Sequence, residues 1–354
     1  MRKSLLLVSS FVLVLLSGCT GLGALNSLTT DEGYHVTSDL QYDRTTGEAL
    51  DVYNYAQAQN APVVVFFYGD RWSKGSKESY KYVGQALTAQ GFVVVVADYR
   101  KYPLIRFPAF VQDAAKAVKW THENISKFGG DPDKVFVMGH DSGAHIAAML
   151  ALNESYLKAV GGSRSWLKGM IGLAGPYDFM PLTAPDLRDM FGPPDRYEQS
   201  QPILFVDGQN PPMLLLHAED DQVVLVKNTR NLARAVAKAG GAVETLIYPK
   251  IGCMTFNSHS CILDTISAPL RKQSDVLAGI SDFIKRRSIG AGAVNPILQN
   301  GDLTTAPDSG PSLSDPPPLK IEDVSPVEQP TPVEQPTPVE QPTPVIEQPT
   351  PVTQ

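Results

Sequence analysis

The chain has 354 residues and a formal net charge of -7, with 30 basic against 37 acidic side chains. No basic cluster appears in its central region, which excludes a nucleic-acid footprint. Both ends differ in composition from the middle, and setting them aside leaves roughly 260 residues, a size that one large α/β domain fills. At the start, Arg2 and Lys3 precede an apolar run over residues 5–16. That run is short for a membrane span of about 20 residues and suits the core of a signal peptide.

The run ends in Leu16-Ser17-Gly18-Cys19, which resembles the bacterial lipobox. The resemblance implies that residues 1–18 are a signal peptide, cleaved before Cys19, and that the Cys19 thiol carries a diacylglyceryl group. It makes the lipid bilayer a partner through acylated Cys19. Thr20 follows, and in Gram-negative sorting a residue other than Asp there implies the outer membrane, with the protein facing the periplasm. Cys253 and Cys261 are then the remaining pair in an exported, oxidising compartment. A disulfide between them closes a loop of about nine residues, stabilising by about 2.5 kcal/mol on the chain-entropy model. Two unrelated thiols are the alternative.

Residues 19–33 read as a tether. From Tyr34 onward the pattern alternates between short, continuous apolar runs and helix-length stretches. The runs cover residues 63–67, 92–97, 135–138, 170–174, 213–217 and 243–248, and read as buried parallel strands. Helices are expected over 79–90, 109–128, 142–153, 226–239 and 271–287, the fourth stopped by Gly240-Gly241. Such alternation predicts a mostly parallel sheet with helices on both faces, in one domain over 34–288. Residues 175–212 interrupt it with eight prolines, among them Pro176, Pro193 and Pro211. This Pro-rich segment reads as a cap over the strand ends, where open α/β sheets place ligands.

Residues 289–354 form a further segment. Near-identical copies of Pro-Val-Glu-Gln-Pro-Thr start at Pro326, Pro332 and Pro338, and a fourth from Pro344 carries the extra Ile346. Proline at this density favours polyproline II and a disordered spacer, reaching on the order of 90 Å. Peptidoglycan or another envelope protein is the partner such an arm would reach.

Gly139-His140-Asp141-Ser142-Gly143-Ala144 follows one predicted strand and opens a helix. This is the context of a nucleophile elbow, G-x-Nuc-x-G, in which small residues are needed two before and two after the nucleophile. Gly139 and Gly143 satisfy that for Asp141. Around Ser142 the equivalents are His140 and Ala144, so the frame selects Asp141.

These residues and their surroundings resemble the esterase/lipase (carboxylesterase-like) branch of the α/β-hydrolase superfamily. The matching segments are Phe128-Gly129-Gly130-Asp131-Pro132 before the elbow strand and Asp98-Tyr99-Arg100. Gly172-Leu173-Ala174-Gly175-Pro176-Tyr177-Asp178-Phe179 and Leu216-His217-Ala218-Glu219-Asp220-Asp221 also match. Phe67-Tyr68-Gly69-Asp70-Arg71-Trp72 stands where that branch has its H-G-G-x-W oxyanion loop. The resemblance implies the α/β-hydrolase fold, Asp221 as the acid that orients a histidine, and an oxyanion hole of backbone N–H groups from Ser142 and the Gly69–Arg71 loop. Asp220 is the alternative acid, and either carboxylate serves equally as a helix cap. The branch carries Gly-His after the last strand, where this chain has Gly252-Cys253. His259 is the counterpart, displaced by a short insertion, unless the base is lost at Cys253.

Asp70 stands where the branch has a second glycine, and its charge would oppose an oxyanion unless Arg71 compensates. Aspartate at an elbow attacks saturated carbon in haloalkane dehalogenases and epoxide hydrolases, whereas its attack on a carboxylic ester makes an anhydride. Three readings stay open: a hydrolase of a small ester or related substrate through Asp141, His259 and Asp221; a non-catalytic envelope binding or scaffold protein; or a misassigned elbow or mutated copy. His145 reads as a packing residue. Tyr68, Trp72, Phe179 and Phe191 line a site or fill the core. No metal-ligand spacing and no nucleotide loop occur, so neither metal nor cofactor is expected.

Overall fold

The computed structural model describes residues 21–253, 258–268, 270 and 275–289. Cys19 with its lipobox and the repeats beyond residue 289 lie outside them. The strands are β1 (His35–Gln41), β2 (Ala49–Asn54), β3 (Ala61–Phe67), β4 (Val93–Ala97), β5 (Gly130–His140), β6 (Leu167–Leu173), β7 (Met213–Ala218) and β8 (Val243–Tyr248). They form one sheet in the order β1-β2-β4-β3-β5-β6-β7-β8. β2 runs antiparallel to both its neighbours, and every pairing from β4 to β8 is parallel. Every residue of β4 and β7 is buried, so both faces of the sheet are covered. This is why the central strands are continuous apolar runs with no polar alternation.

The helices are α1 (Gly21–Ser27), α2 (Lys81–Thr88), α3 (Ala109–Asn124), α4 (Ser142–Leu152), α5 (Ser155–Ala159), α6 (Pro185–Phe191), α7 (Lys227–Lys238), α8 (Ser258–Asp264) and α9 (Val276–Ser288). α4 is buried on every side, as a helix rich in Ala, Ile, Met and Leu all round must be. α7 stops at Gly240, whose φ of 82° an L side chain resists.

The structure departs from the sequence-based expectation at several places. β1 is solvent-exposed along nearly its whole length and offers no apolar run to recognise. β2, which pairs with it, was likewise not anticipated. The stretch holding His259 is helical where a loop was expected, and the stretch read as a tether includes α1. Leu25 of α1 is buried, and Asn26 is hydrogen-bonded to the Glu78 carbonyl and the Tyr82 amide. Residues 175–212 contain α6 and two 3-10 turns, Pro194–Ser200 and Pro202–Phe205.

Candidate active site

Asp141 sits between β5 and α4 with φ 49° and ψ -122°, a conformation that non-glycine residues rarely adopt. The surrounding chain holds it there. Its N–H donates to the Leu173 carbonyl, and its own carbonyl accepts from the Ala144 and His145 amides. The two glycines permit the turn by close approach. A Cβ on Gly139 would lie 2.2 Å from backbone atoms of Gly143, and one on Gly143 would lie 2.0 Å from the Phe67 carbonyl oxygen. The steric frame read from the sequence is therefore physical: Asp141, though largely buried, borders the cleft, while Ser142 is fully buried.

The loop after β3 faces Asp141. Asp70, Arg71 and Trp72 take positive φ values of 83°, 53° and 55° in succession, which turns consecutive N–H groups toward one point. The Asp70 and Arg71 amides donate to Oδ2 of Asp141 at 2.9 and 3.0 Å. Gly69 lets the loop come this near, since a Cβ there would lie 2.7 Å from that of Asp141. The loop's anion hole thus holds the Asp141 carboxylate itself. Of the amides expected to form the hole, the two from the loop, Asp70 and Arg71, donate to Asp141. Asp70 presents its N–H while its side chain is exposed. The Arg71 guanidinium pairs with Asp186 of α6 at 2.6 Å, so its charge compensates that carboxylate.

His259 on α8 and Asp221 after β7 complete the group. His259 Nδ1 donates to Asp221 Oδ2 at 2.7 Å, and Nε2 stands 3.8 Å from Oδ1 of Asp141. Asp221, not the exposed Asp220, is the partner; it caps the turn after β7 and not the helix α7, whose N-cap is Val226 with no side-chain cap. Its Oδ1 accepts the Val223 and Val224 amides at 2.8 and 3.0 Å, capping the turn, while Oδ2 holds the histidine. Burial alone would raise the Asp221 carboxyl, but hydrogen bonds from His217 and His259 outweigh it and hold its pKa far below the usual range. Burial likewise works against a charged His259. The Asp221 hydrogen bond and the Asp141 and Asp221 charges overcome that, raising it above the ordinary 6.5.

Two histidines escaped the sequence reading as parts of this site. His217, read as a strand residue, lies with Nε2 3.2 Å from Asp221 Oδ2 and 2.7 Å from the Val224 carbonyl; its Nδ1 is 2.8 Å from the Thr229 hydroxyl. His140 donates from Nε2 to the His259 carbonyl at 2.7 Å and fixes the helix backbone there. Burial, with the nearby His259, pushes His140 down to about 4 and keeps it neutral. The only signal for either was a histidine beside a motif residue.

His145 is a packing residue. Its Nδ1 accepts from Trp72 Nε1 and its Nε2 donates to the Ser200 carbonyl, joining α4, the loop after β3 and the 175–212 segment. Cys253 is bonded to Cys261 of α8, so it is a staple beside His259. A cleft of about 370 Å³ opens over Asp141, with Trp72, Phe179, Met180, Leu187 and Val224 in its lining. Tyr68 and Phe191 are buried in the core instead. Among the described residues no group of three or more His, Cys, Asp or Glu side chains is arranged to hold a metal ion.

A family model described as BD-FAE matches residues 50–236. Esterase LipQ of Mycobacterium tuberculosis is 28% identical over 268 residues, which cover 70% of this chain and 62% of that protein. Isoprenylcysteine alpha-carbonyl methylesterase ICME of Arabidopsis thaliana is 28% identical over 210 residues, covering 53% of this chain and 49% of that protein. The chain thus spans less than two thirds of either relative. A truncated form of a carbohydrate esterase from gut microbiota shares the fold with a TM-score of 0.62 at 20% identity, covering 73% of this chain and 98% of that one. The thermophilic carboxylesterase EstE1, cloned from a metagenomic library, does so with a TM-score of 0.62 at 19% identity, covering 75% and 93%.

Proposed function

The chain belongs to the BD-FAE family, among the carboxylesterases of the α/β-hydrolase superfamily, and from that premise we propose that it is a hydrolase of a small ester or related substrate whose nucleophile is Asp141. The observation that carries this reading is the division of labour between the two carboxylate oxygens. Oδ2 is held by two backbone amides, and Oδ1 is the oxygen nearer His259 Nε2. A carboxylate held in this way suits attack on a saturated carbon, because a mixed anhydride is avoided.

In the first step Oδ1 forms a bond to that carbon. The leaving group departs with its bonding pair, as a carboxylate when the substrate is an ester. In the second, His259 Nε2 takes a proton from water, and the hydroxide adds to Cγ of Asp141. The negative charge falls on Oδ2, where the Asp70 and Arg71 amides already point. Collapse breaks the bond from Cγ to Oδ1, and the alcohol leaves with the proton from His259. Asp221 keeps the imidazole oriented and supports its charge.

The test is covalent trapping. His259→Gln, incubated with short alkyl esters, epoxides and alkyl halides and quenched in acid, should gain the mass of one alkyl group on Asp141. In wild type, one turnover in ¹⁸O-water should label Asp141 and leave both products unlabelled. Label appearing in the acid product, or turnover without any adduct, removes this mechanism.

A second reading rests on the same hole. With the Asp70 and Arg71 amides engaged by Asp141, those two donors are not open to a substrate oxyanion, which favours a binding or scaffold protein built on an esterase fold. In either case we place the chain in the bacterial envelope, anchored to the outer membrane through acylated Cys19 and facing the periplasm, with the 289–354 segment extending toward peptidoglycan or another envelope protein. Metabolic palmitate labelling that vanishes in Cys19→Ala checks the anchor.

A further inference from the structure

The cleft over Asp141 has an apolar wall and a charge balance of definite sign. Met180, Val223 and Leu225 are all exposed, and all three border this one opening. Large apolar side chains exposed singly need no explanation, but a group around a cleft marks a place where apolar ligand surface is covered. Trp72 and Phe179 lie deeper, 6.0 Å apart between ring centres.

The polar groups in the same lining are mostly committed. Asp141 Oδ2 is taken by two amides, and Arg71 is paired with Asp186 at 2.6 Å. Asn228 accepts the Tyr177 and Asp178 amides at Oδ1 and donates from Nδ2 to the Leu225 carbonyl. Lys227, at the start of α7, is the exception among the charged groups. It lines the cleft, is exposed, and makes no ion pair or side-chain hydrogen bond among the described residues. The field left over for a ligand is therefore positive at the Lys227 side of an apolar opening.

We infer that this cleft binds an amphipathic anion, its apolar body lying against Trp72 and Phe179 and its carboxylate at Lys227. The inference rests on the proposed function only in taking this cleft as the ligand site. A carboxylate is also what an alkyl ester releases when its saturated carbon is attacked, so Lys227 would receive the departing group. A cationic head group would meet Lys227 instead, while Asp141 has Oδ2 held by two amides and Oδ1 facing His259.

Titration calorimetry of the intact protein at low ionic strength tests this with octanoate, octanol and octyltrimethylammonium as probes. Octanoate should bind about threefold more tightly than octanol, the gain typical of an exposed ion pair, and octyltrimethylammonium more weakly than either. Lys227→Met should reduce octanoate to the level of octanol and leave octanol unchanged, with circular dichroism verifying the fold. High salt should close the gap in wild type. Equal binding of octanoate and octanol, survival of the octanoate preference in Lys227→Met, or binding of neither probe overturns the inference. Octanoate carries no leaving group, so its binding is measured whether or not the protein is a hydrolase. Failure of the alkyl-adduct experiment leaves this result intact, and the converse holds.

Discussion

The backbone amide of Asp70 donates to Oδ2 of Asp141 at 2.9 Å, so the anion hole of this site and the residue at its elbow are joined in one contact. Replacing the carboxylate separates them. Asp141→Ser frees the Asp70 and Arg71 amides and puts a hydroxyl where His259 stands ready to act as base. We expect the variant to hydrolyse short p-nitrophenyl esters with a burst of one equivalent, at least about 100-fold faster than wild type, the scale set by a single oxyanion donor. Pre-steady-state absorbance measures it. An inactive but folded variant would show that more than the nucleophile is missing.

The His259–Asp221 pair predicts a stability profile of definite sign. His259 is raised above its ordinary 6.5, so its contribution is complete below that pH and is lost as pH climbs through the folded value. Asp221 is depressed below its ordinary 3.8, so its contribution is present above that pH and is lost only in stronger acid. The two overlap between about pH 4 and 6.5. His259→Gln should therefore lower Tm most in that window and progressively less toward pH 9. A difference that grows with pH would reverse the assignment. If the protein turns over substrate, the rate should rise with pH as His259 loses its proton, above 6.5.

What the sequence revealed of this site depended on which kind of physics fixed each part. The elbow was legible because packing at Gly139 and Gly143 tolerates no Cβ, a constraint written in residue type. The five inner strands β3 to β7 were legible because burial on both faces demands apolar runs, whereas β8, at the sheet edge and only half-buried, was read from a shorter apolar stretch. The occupied anion hole was not, since it depends on left-handed backbone at Asp70, Arg71 and Trp72, none of them glycine. Nor was α8, whose Ser-His-Ser-Cys start carries no helical apolar period. His217 was hidden because an inward-facing histidine on a strand reads as ordinary core until its neighbours in space are known.

Asp264 is a buried carboxyl outside the proposed chemistry. Burial raises it from 3.8 to about 6, against a lowering hydrogen bond from the Tyr82 hydroxyl at 3.1 Å. A raised carboxyl costs stability once it must ionise, so the cost appears as pH rises through about 6. Asp264→Asn keeps an acceptor for Tyr82 and removes that cost. Urea unfolding should find the variant more stable at pH 8, by on the order of 3 kcal/mol at most, and equal to wild type near pH 4. Destabilisation at both pH values would show that the carboxylate form is the one the fold requires.

The disulfide carries the last prediction, because Cys261 shares α8 with His259. Cross-linking Cys253 to Cys261 restricts the unfolded chain and, in the native state, ties the start of α8 to the segment after β8. Substituting both cysteines by Ala should cost about 2.5 kcal/mol by loop entropy. If the staple also sets the place of His259, the loss goes beyond stability. The double variant should then show a lower kcat with little change in KM, and its pH profile should move down as His259 loosens from Asp221. A variant with reduced Tm but an unchanged kcat and pH profile would confine the disulfide to holding the chain together.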